Sequence, residues 1–174
     1  MRRLIVPLTL ALTLGLPTVA PAALRIKPGR LSVKKIGTFK PQRNASLDAA
    51  TRAFGKPSAV RDDDDNVCNV RWKDIGLKIV FVNLGGGSAC GEGSAQTFRA
   101  EGERFATSQG LRVRGSARAV LKAHPNAERH RSSFWLKTAV SPFGDGDTEY
   151  PVLRAEFGSG RVTALSGFIG AAGE

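Results

Sequence analysis

"SLDAATRAF" occupies Ser46–Phe54, and "SARAVLKAH" occupies Ser116–His124, 70 residues further along the chain. Each begins with a serine, whose hydroxyl can accept from the unpaired N–H groups of a helix start. Each then sets small or apolar residues at helical spacing. In the first these are Leu47, Ala50 and Phe54; in the second they are Ala117, Val120, Leu121 and His124. Each stops at glycine or proline: Gly55 and Pro57 after the first, Pro125 after the second. Helices of about nine residues do not stand alone in water. Both apolar stripes therefore need a sheet to lie on.

The sheet is written in the segments that follow. After the first helix, Val67–Lys73, Leu77–Asn83, Ala95–Glu101 and Glu103–Thr107 read as strands. Cys68, Val70 and Trp72 alternate with Asn69, Arg71 and Lys73, and Leu77, Ile79 and Phe81 alternate with Lys78, Val80 and Val82. Alternation of this kind marks half-buried strands, and Asp74-Ile75-Gly76 supplies a turn between them. After the second helix, Ser133–Val140, Thr148–Phe157 and Arg161–Ile169 read as strands, the last two joined at Gly158-Ser159-Gly160. The expected fold class is α+β: two tandem repeats, each a short capped helix followed by three to four antiparallel strands, with the helices on one face of the sheet. The expected map is a signal peptide at 1–22, a basic segment at 23–44, a first repeat at 45–107 and a second repeat at 108–174.

Four stretches together cover most of residues 46–166: "SLDAATRAFGKPS", "CNVRWKDIGLKIVF", "GLRVRGSARAVLKAHPNA" and "YPVLRAEFGSGRVTAL". Their pattern of capped helix, glycine turn and alternating strand resembles the tandem-repeat fold of the secreted β-lactamase inhibitory proteins. It is also similar to the single unit of the small outer-membrane-assembly lipoproteins. The resemblance implies an architecture in which a sheet surface binds a protein partner. It departs in cysteine content, with one bridge at most, and no inhibitory contact of that family maps onto a position here.

The first residues give the compartment. "MRR" is a short cationic start, Leu4–Leu16 is an apolar run without charge, and Ala20 and Ala22 occupy the −3 and −1 places of an A-x-A cleavage site. These are the parts of a secretory signal peptide. The apolar run is shorter than the ~20 residues a membrane-spanning helix needs. A secreted or otherwise extracytoplasmic bacterial protein is the expectation. Cleavage after Ala22 leaves 152 residues and removes two arginines, lowering the net charge from +11 to +9.

Outside the cytoplasm, thiols persist as disulfides. The two cysteines, Cys68 and Cys90, are expected to be bridged, holding the glycine-rich stretch "LGGGSAC" against the strand hairpin. Zinc would need more ligands than two cysteines and two distant histidines provide. Neither cysteine has neighbours that would depress a thiol pKa for catalysis.

Reactive constellations are scarce. His124 and His130 lie near Glu128, Arg129 and Arg131, a set that a small secreted hydrolase could use as base, acid and anion clamp. His124, however, aligns with Phe54 and reads as the end of a helix-packing face. No G-x-S-x-G elbow, phosphate loop or dinucleotide fingerprint occurs, so no cofactor and no catalytic residue is assigned. Two acidic runs invite a calcium reading. Asp62–Asp65 reads as a solvated loop before a strand. Asp145, Asp147, Glu149 and Glu156 fit an EF-hand spacing, but Tyr150 stands where that loop requires glycine. No metal site is assigned.

Positive charge is the strongest surface signal. Residues 24–45 carry seven positive charges and no negative one, and residues 98–140 carry nine against three. Such a balance suits an anionic envelope polymer or an acidic protein. Aromatic residues make up only 7% of the chain, which argues against nucleic acid as the partner. The expectation is a non-enzymatic binding module for an extracellular or cell-envelope protein. A cationic protein binding anionic surface polymers is the alternative, and a small hydrolase the second alternative. Trp72, Trp135, Arg112 and Arg114 are the candidate binding face.

Overall fold

The computed structural model of the protein describes residues 30–32, 35–64, 66–140 and 148–169. The expected signal peptide, the start of the basic segment, and Asp145 and Asp147 of the acidic loop lie outside the described residues.

The described residues begin with two short strands, β1 (Arg30–Ser32) and β2 (Lys35–Ile36), and then helix α1 (Leu47–Phe54). Ser46 Oγ accepts from the Ala49 N–H at 3.2 Å, which satisfies one orphan donor of α1. Four strands follow: β3 (Ala59–Asp64), β4 (Val67–Trp72), β5 (Leu77–Val82) and β6 (Ser94–Ala100), with the short helix α2 (Ala89–Glu92) before the last. After β7 (Ala106–Thr107) comes helix α3 (Ala117–Ala123), whose N-cap Ser116 accepts from the Ala119 N–H at 3.2 Å. Four more strands complete the described residues: β8 (Glu128–His130), β9 (Ser133–Val140), β10 (Glu149–Gly158) and β11 (Arg161–Phe168).

The larger sheet has eight strands in the order β3-β4-β5-β6-β11-β10-β9-β8, every neighbouring pair antiparallel. A second sheet, β2-β1-β7, ties the basic segment to the body, where Ile36 and Phe39 are buried. The fold is therefore α+β and dominated by one antiparallel sheet. Among the described residues, no helix is long and apolar enough to cross a membrane.

Alternation along the strands sorts the two faces of the sheet. One face supplies Cys68, Val70, Trp72, Leu77, Ile79, Phe81, Phe98, Leu165, Ala155 and Phe134 to a single buried cluster. Ala50 and Phe54 of α1 and Val120 of α3 join the same cluster, so the short helices hide their stripes where their length requires it. Among the described residues no helix joins the opposite face of the sheet, the open face. The β4–β5 turn depends on Gly76, which adopts φ 63°. A Cβ there would stand 2.6 Å from the Gly102 backbone nitrogen, so only glycine fits.

The strand expectations need three corrections. Asp62–Asp64, expected in a solvated loop, belong to the strand Ala59–Asp64: Asp62 pairs with Cys68 across β3–β4. Glu128–His130 is a second unforeseen strand, and both lie at sheet edges. The expected strand Glu103–Thr107 shrinks to Ala106–Thr107 and belongs to the smaller sheet. Charged side chains on short edge strands discourage pairing with another chain, and those same charges make such strands read as loops.

Candidate functional site

Cross-strand register lines up one row of residues across the open face. Arg71 on β4 faces Lys78 on β5, Lys78 faces Arg99 on β6, and Arg99 faces Ser166 on β11. Ser166 faces Arg154 on β10, Arg154 faces Trp135 on β9, and Trp135 faces Glu128 on β8. Four cations thus stand in a line over five adjacent strands, interrupted by one serine. Strands lie about 4.8 Å apart, and like charges placed directly opposite each other repel. The sheet carries this row in spite of that cost.

Two carboxylates relieve part of it. Arg99 donates from Nε to both Glu156 oxygens, at 3.2 and 3.0 Å, and from Nη2 to Oε2 at 2.7 Å. Its Nη1 bonds Glu101, and Arg71 lies 3.6 Å from the same Glu101. Ser166 donates to Glu156 Oε1 at 3.1 Å and accepts from Arg154 Nε at 2.9 Å. Burial pushes the Glu156 carboxyl upward, but the bonds and charge of Arg99, with Ser166 and Arg154, outweigh it and hold the group below its usual value. The Glu156 hydrogen bond in turn raises Arg99, against its partial burial. Glu156 stays ionised, and its charge is spent on Arg99.

Two cations keep capacity for something else. Arg154 commits Nε to Ser166, and its Nη2 is 3.8 Å from Glu156, too far for a hydrogen bond. Lys78 has no ion pair or hydrogen bond among the described residues.

Beside the row runs an apolar flank. Val80 faces Thr97, and Thr97 faces Phe168. Phe168 remains 43% exposed, a large apolar side chain near the middle of the sheet, with its ring edge-on to Tyr150 at 5.8 Å. Between row and flank is a depression of about 260 Å³, lined by Lys78, Val80, Thr97, Arg154, Pro151 and Phe168 among others. At the far end, Trp135 stacks on His130 with centroids 3.7 Å apart and planes at 15°. His130 Nε2 is covered there without a hydrogen-bond partner, and Glu128 stands 3.6 Å away.

Of the four residues named from sequence as the binding face, only Trp135 lies on this face; Glu156, Glu128 and His130, named for other readings, lie on or beside it. Trp72 is a correction: it is 3% exposed, donates from Nε1 to the Gly55 carbonyl at 2.7 Å, and packs edge-on against Phe54. It is a core residue, on the same face of β4 as Cys68 and Val70. Arg112 and Arg114 sit in the loop before α3, away from the row. Arg114 pairs with Glu103 at 2.6 Å, and Arg112 donates to the Glu103 carbonyl at 3.3 Å. They clasp a loop. The cations of the row with capacity to spare are Lys78 and Arg154, visible in sequence only as the polar members of alternating strands.

The remaining candidates are placed as follows. Cys68 and Cys90 form a disulfide, with Cα atoms 5.0 Å apart, and the bridge ties α2 to β4. The loop it closes lifts Leu84, 92% exposed, at its tip. His124 is buried with its Nε2 2.9 Å from Thr107 Oγ1, and burial lowers its pKa. No hydrogen bond or ring contact joins it to His130. Among the described residues no cluster of histidine, cysteine, aspartate and glutamate could hold a metal ion. Glu149 and Glu156 of the calcium reading are engaged by Thr138 and Arg99 respectively.

The chain matches no family model, no curated protein and no solved structure.

Proposed function

We propose that this protein is an extracytoplasmic, non-enzymatic binding module that engages an extracellular or cell-envelope protein through the open face of its sheet. One observation carries the reading: a cation row only partly compensated by carboxylates, beside an exposed Phe168, on a face that no helix among the described residues covers. An array that strains the folded state and is retained at a central position is more economically explained by a ligand than by packing.

The architecture supports it. Each longer helix is followed by four strands of the larger sheet, and the strand order reads the same from either edge: first, second, third and fourth of one set, then fourth, third, second and first of the other. We read this as two copies of one unit joined along β6 and β11, the plan in which the chain resembles the β-lactamase inhibitory proteins. The joint is where neither copy alone could build a face of this width. Export through the signal peptide at 1–22 accords with the disulfide.

Purified oxidised protein, used as bait against the source cell's secreted and surface fraction, tests the reading. A discrete protein retained at high salt, and lost when Phe168 is replaced by aspartate, is the expected result. Retention of polymer alone, and only at low salt, would favour the cationic-envelope alternative and refute the protein partner.

A further inference from the structure

The row and its flank also specify what the partner presents. Resting on the reading that the open face binds protein, we propose that the site takes an extended acidic segment of the partner. That segment carries carboxylates at positions i and i+4 and an aromatic side chain at i+2.

Spacing gives the register. Lys78 and Arg154 are three strands apart in one row, which is about 14 Å at strand spacing. An extended chain laid across the strands returns to the same face every second residue, and four residues span about 13 Å. Carboxylates at i and i+4 therefore reach Lys78 and Arg154 together. The side chain at i+2 falls midway, over the depression between Arg99, Ser166 and Phe168. Its volume of about 260 Å³ admits one aromatic ring against Phe168 and Val80.

Charge gives the sign. Arg99 is saturated by Glu156 and Glu101, so Glu156 does not repel a ligand as a bare carboxylate would. Lys78 has no partner among the described residues, and Arg154 has guanidinium edge to spare. A purely hydrophilic polyanion would satisfy both cations but leave Phe168 and Val80 in water. A purely apolar ligand would desolvate two cations without compensation. A segment of mixed character satisfies both.

The test uses the oxidised full chain, labelled with ¹⁵N, and three synthetic peptides: Ac-SETFTES-NH2, its glutamine analogue Ac-SQTFTQS-NH2, and Ac-SETSTES-NH2 without the ring. The first peptide should shift the backbone amides of Lys78, Arg99, Arg154 and Phe168. Lys78→Glu and Arg154→Ala should each weaken it about tenfold, in proteins whose spectra otherwise remain native. The other two peptides should bind more weakly on the same amides. Equal binding of the glutamine analogue, or shifts confined to other surfaces, would overturn the proposal. So would tighter binding of oligo-dT on the same amides, which would assign the row to a polyanion. The underlying reading fails separately. If Lys78→Glu, Arg154→Ala and Phe168→Asp together leave capture of the surface protein intact, the open face is not the interface. If that triple variant loses capture while the peptides do not bind, only the peptide register is wrong.

Discussion

Reversing the charge at Lys78 should make the protein more stable, and the size of the gain can be worked from the register. Lys78 stands directly between Arg71 and Arg99. Directly opposed side chains on neighbouring strands interact by about 0.2–1 kcal/mol, with like charges unfavourable. Arg99 is largely neutralised by Glu156 and Glu101, whereas Arg71 has only Glu101 at 3.6 Å. The repulsion felt by Lys78 therefore comes mainly from Arg71. Lys78→Gln should relieve it, and Lys78→Glu should add an exposed attraction, giving a total of about 0.5–1 kcal/mol. For a chain of this size that corresponds to a melting temperature higher by about 1–4 °C. Thermal denaturation of the oxidised protein, followed by circular dichroism at low salt and neutral pH, reads the change. Repeating it in about 1 M salt, where the screening length falls to about 3 Å, should remove most of the gain. A Lys78→Glu protein that melts at or below the wild type at low salt, or a gain indifferent to salt, would refute the idea that the row is held at a cost.

The other perturbations separate core from surface. Replacing Cys68 and Cys90 with alanine opens a loop of sequence separation 22, and chemical denaturation should report a loss of about 3 kcal/mol in the chain-entropy model. Trp72→Phe loses the bond to Gly55 and part of the packing against Phe54; a urea titration should show about 1–3 kcal/mol of destabilisation. Trp135→Ala on the open face should cost less than Trp72→Ala in the same titration. In acid, Glu156 has a folded pKa below its unfolded one. Its contribution is therefore full above the ordinary carboxylate range and is lost as pH falls through the folded value; Glu156→Gln should flatten that limb of a stability–pH curve. His124 is lowered by burial, so the unfolded chain takes up a proton first. Stability should decline as pH drops below about 6.5, a slope that His124→Phe should remove.

The parts of the fold that were legible in the sequence are those decided by local chemistry. Ser46 and Ser116 announce helix starts because a hydroxyl can cap a backbone donor. The inner strands announce themselves because Cys68, Val70 and Trp72, or Leu77, Ile79 and Phe81, must share one buried face. The bridge between Cys68 and Cys90 follows from a hairpin that brings them together. Trp72, expected on the binding face, instead shares the buried side of β4 with Cys68 and Val70. The edge strands escaped for a physical reason. The Asp62–Asp64 run of β3 and the charges of β8 are what an edge requires, and they are also what a loop displays. Their strand character comes from backbone pairing with β4 and β9, which composition does not record. Arg112 and Arg114 drew attention as clustered charge, yet Glu103 occupies both.

The cation row escaped for a different reason, and that reason bears on what it is. Arg71, Lys78, Arg99 and Arg154 are scattered along the chain, and each looks like the solvent side of an ordinary strand. Only register makes them neighbours, and the decisive register is that of β6 against β11, where Arg99 meets Ser166. A shift of one residue there would turn Arg99 toward the buried face. The Arg99–Glu156 bonds span that same seam by way of β10. They hold the two halves of the sheet in the alignment that completes the row. On the proposed reading, Arg99 is a positioning residue, and Lys78 and Arg154 are the groups that meet a ligand. Glu156→Gln should therefore disturb binding through Arg99, and through Ser166 and Arg154, while leaving Lys78 in place. Restoring a carboxylate with Glu156→Asp should recover it in part, an outcome that a role limited to surface charge would not produce.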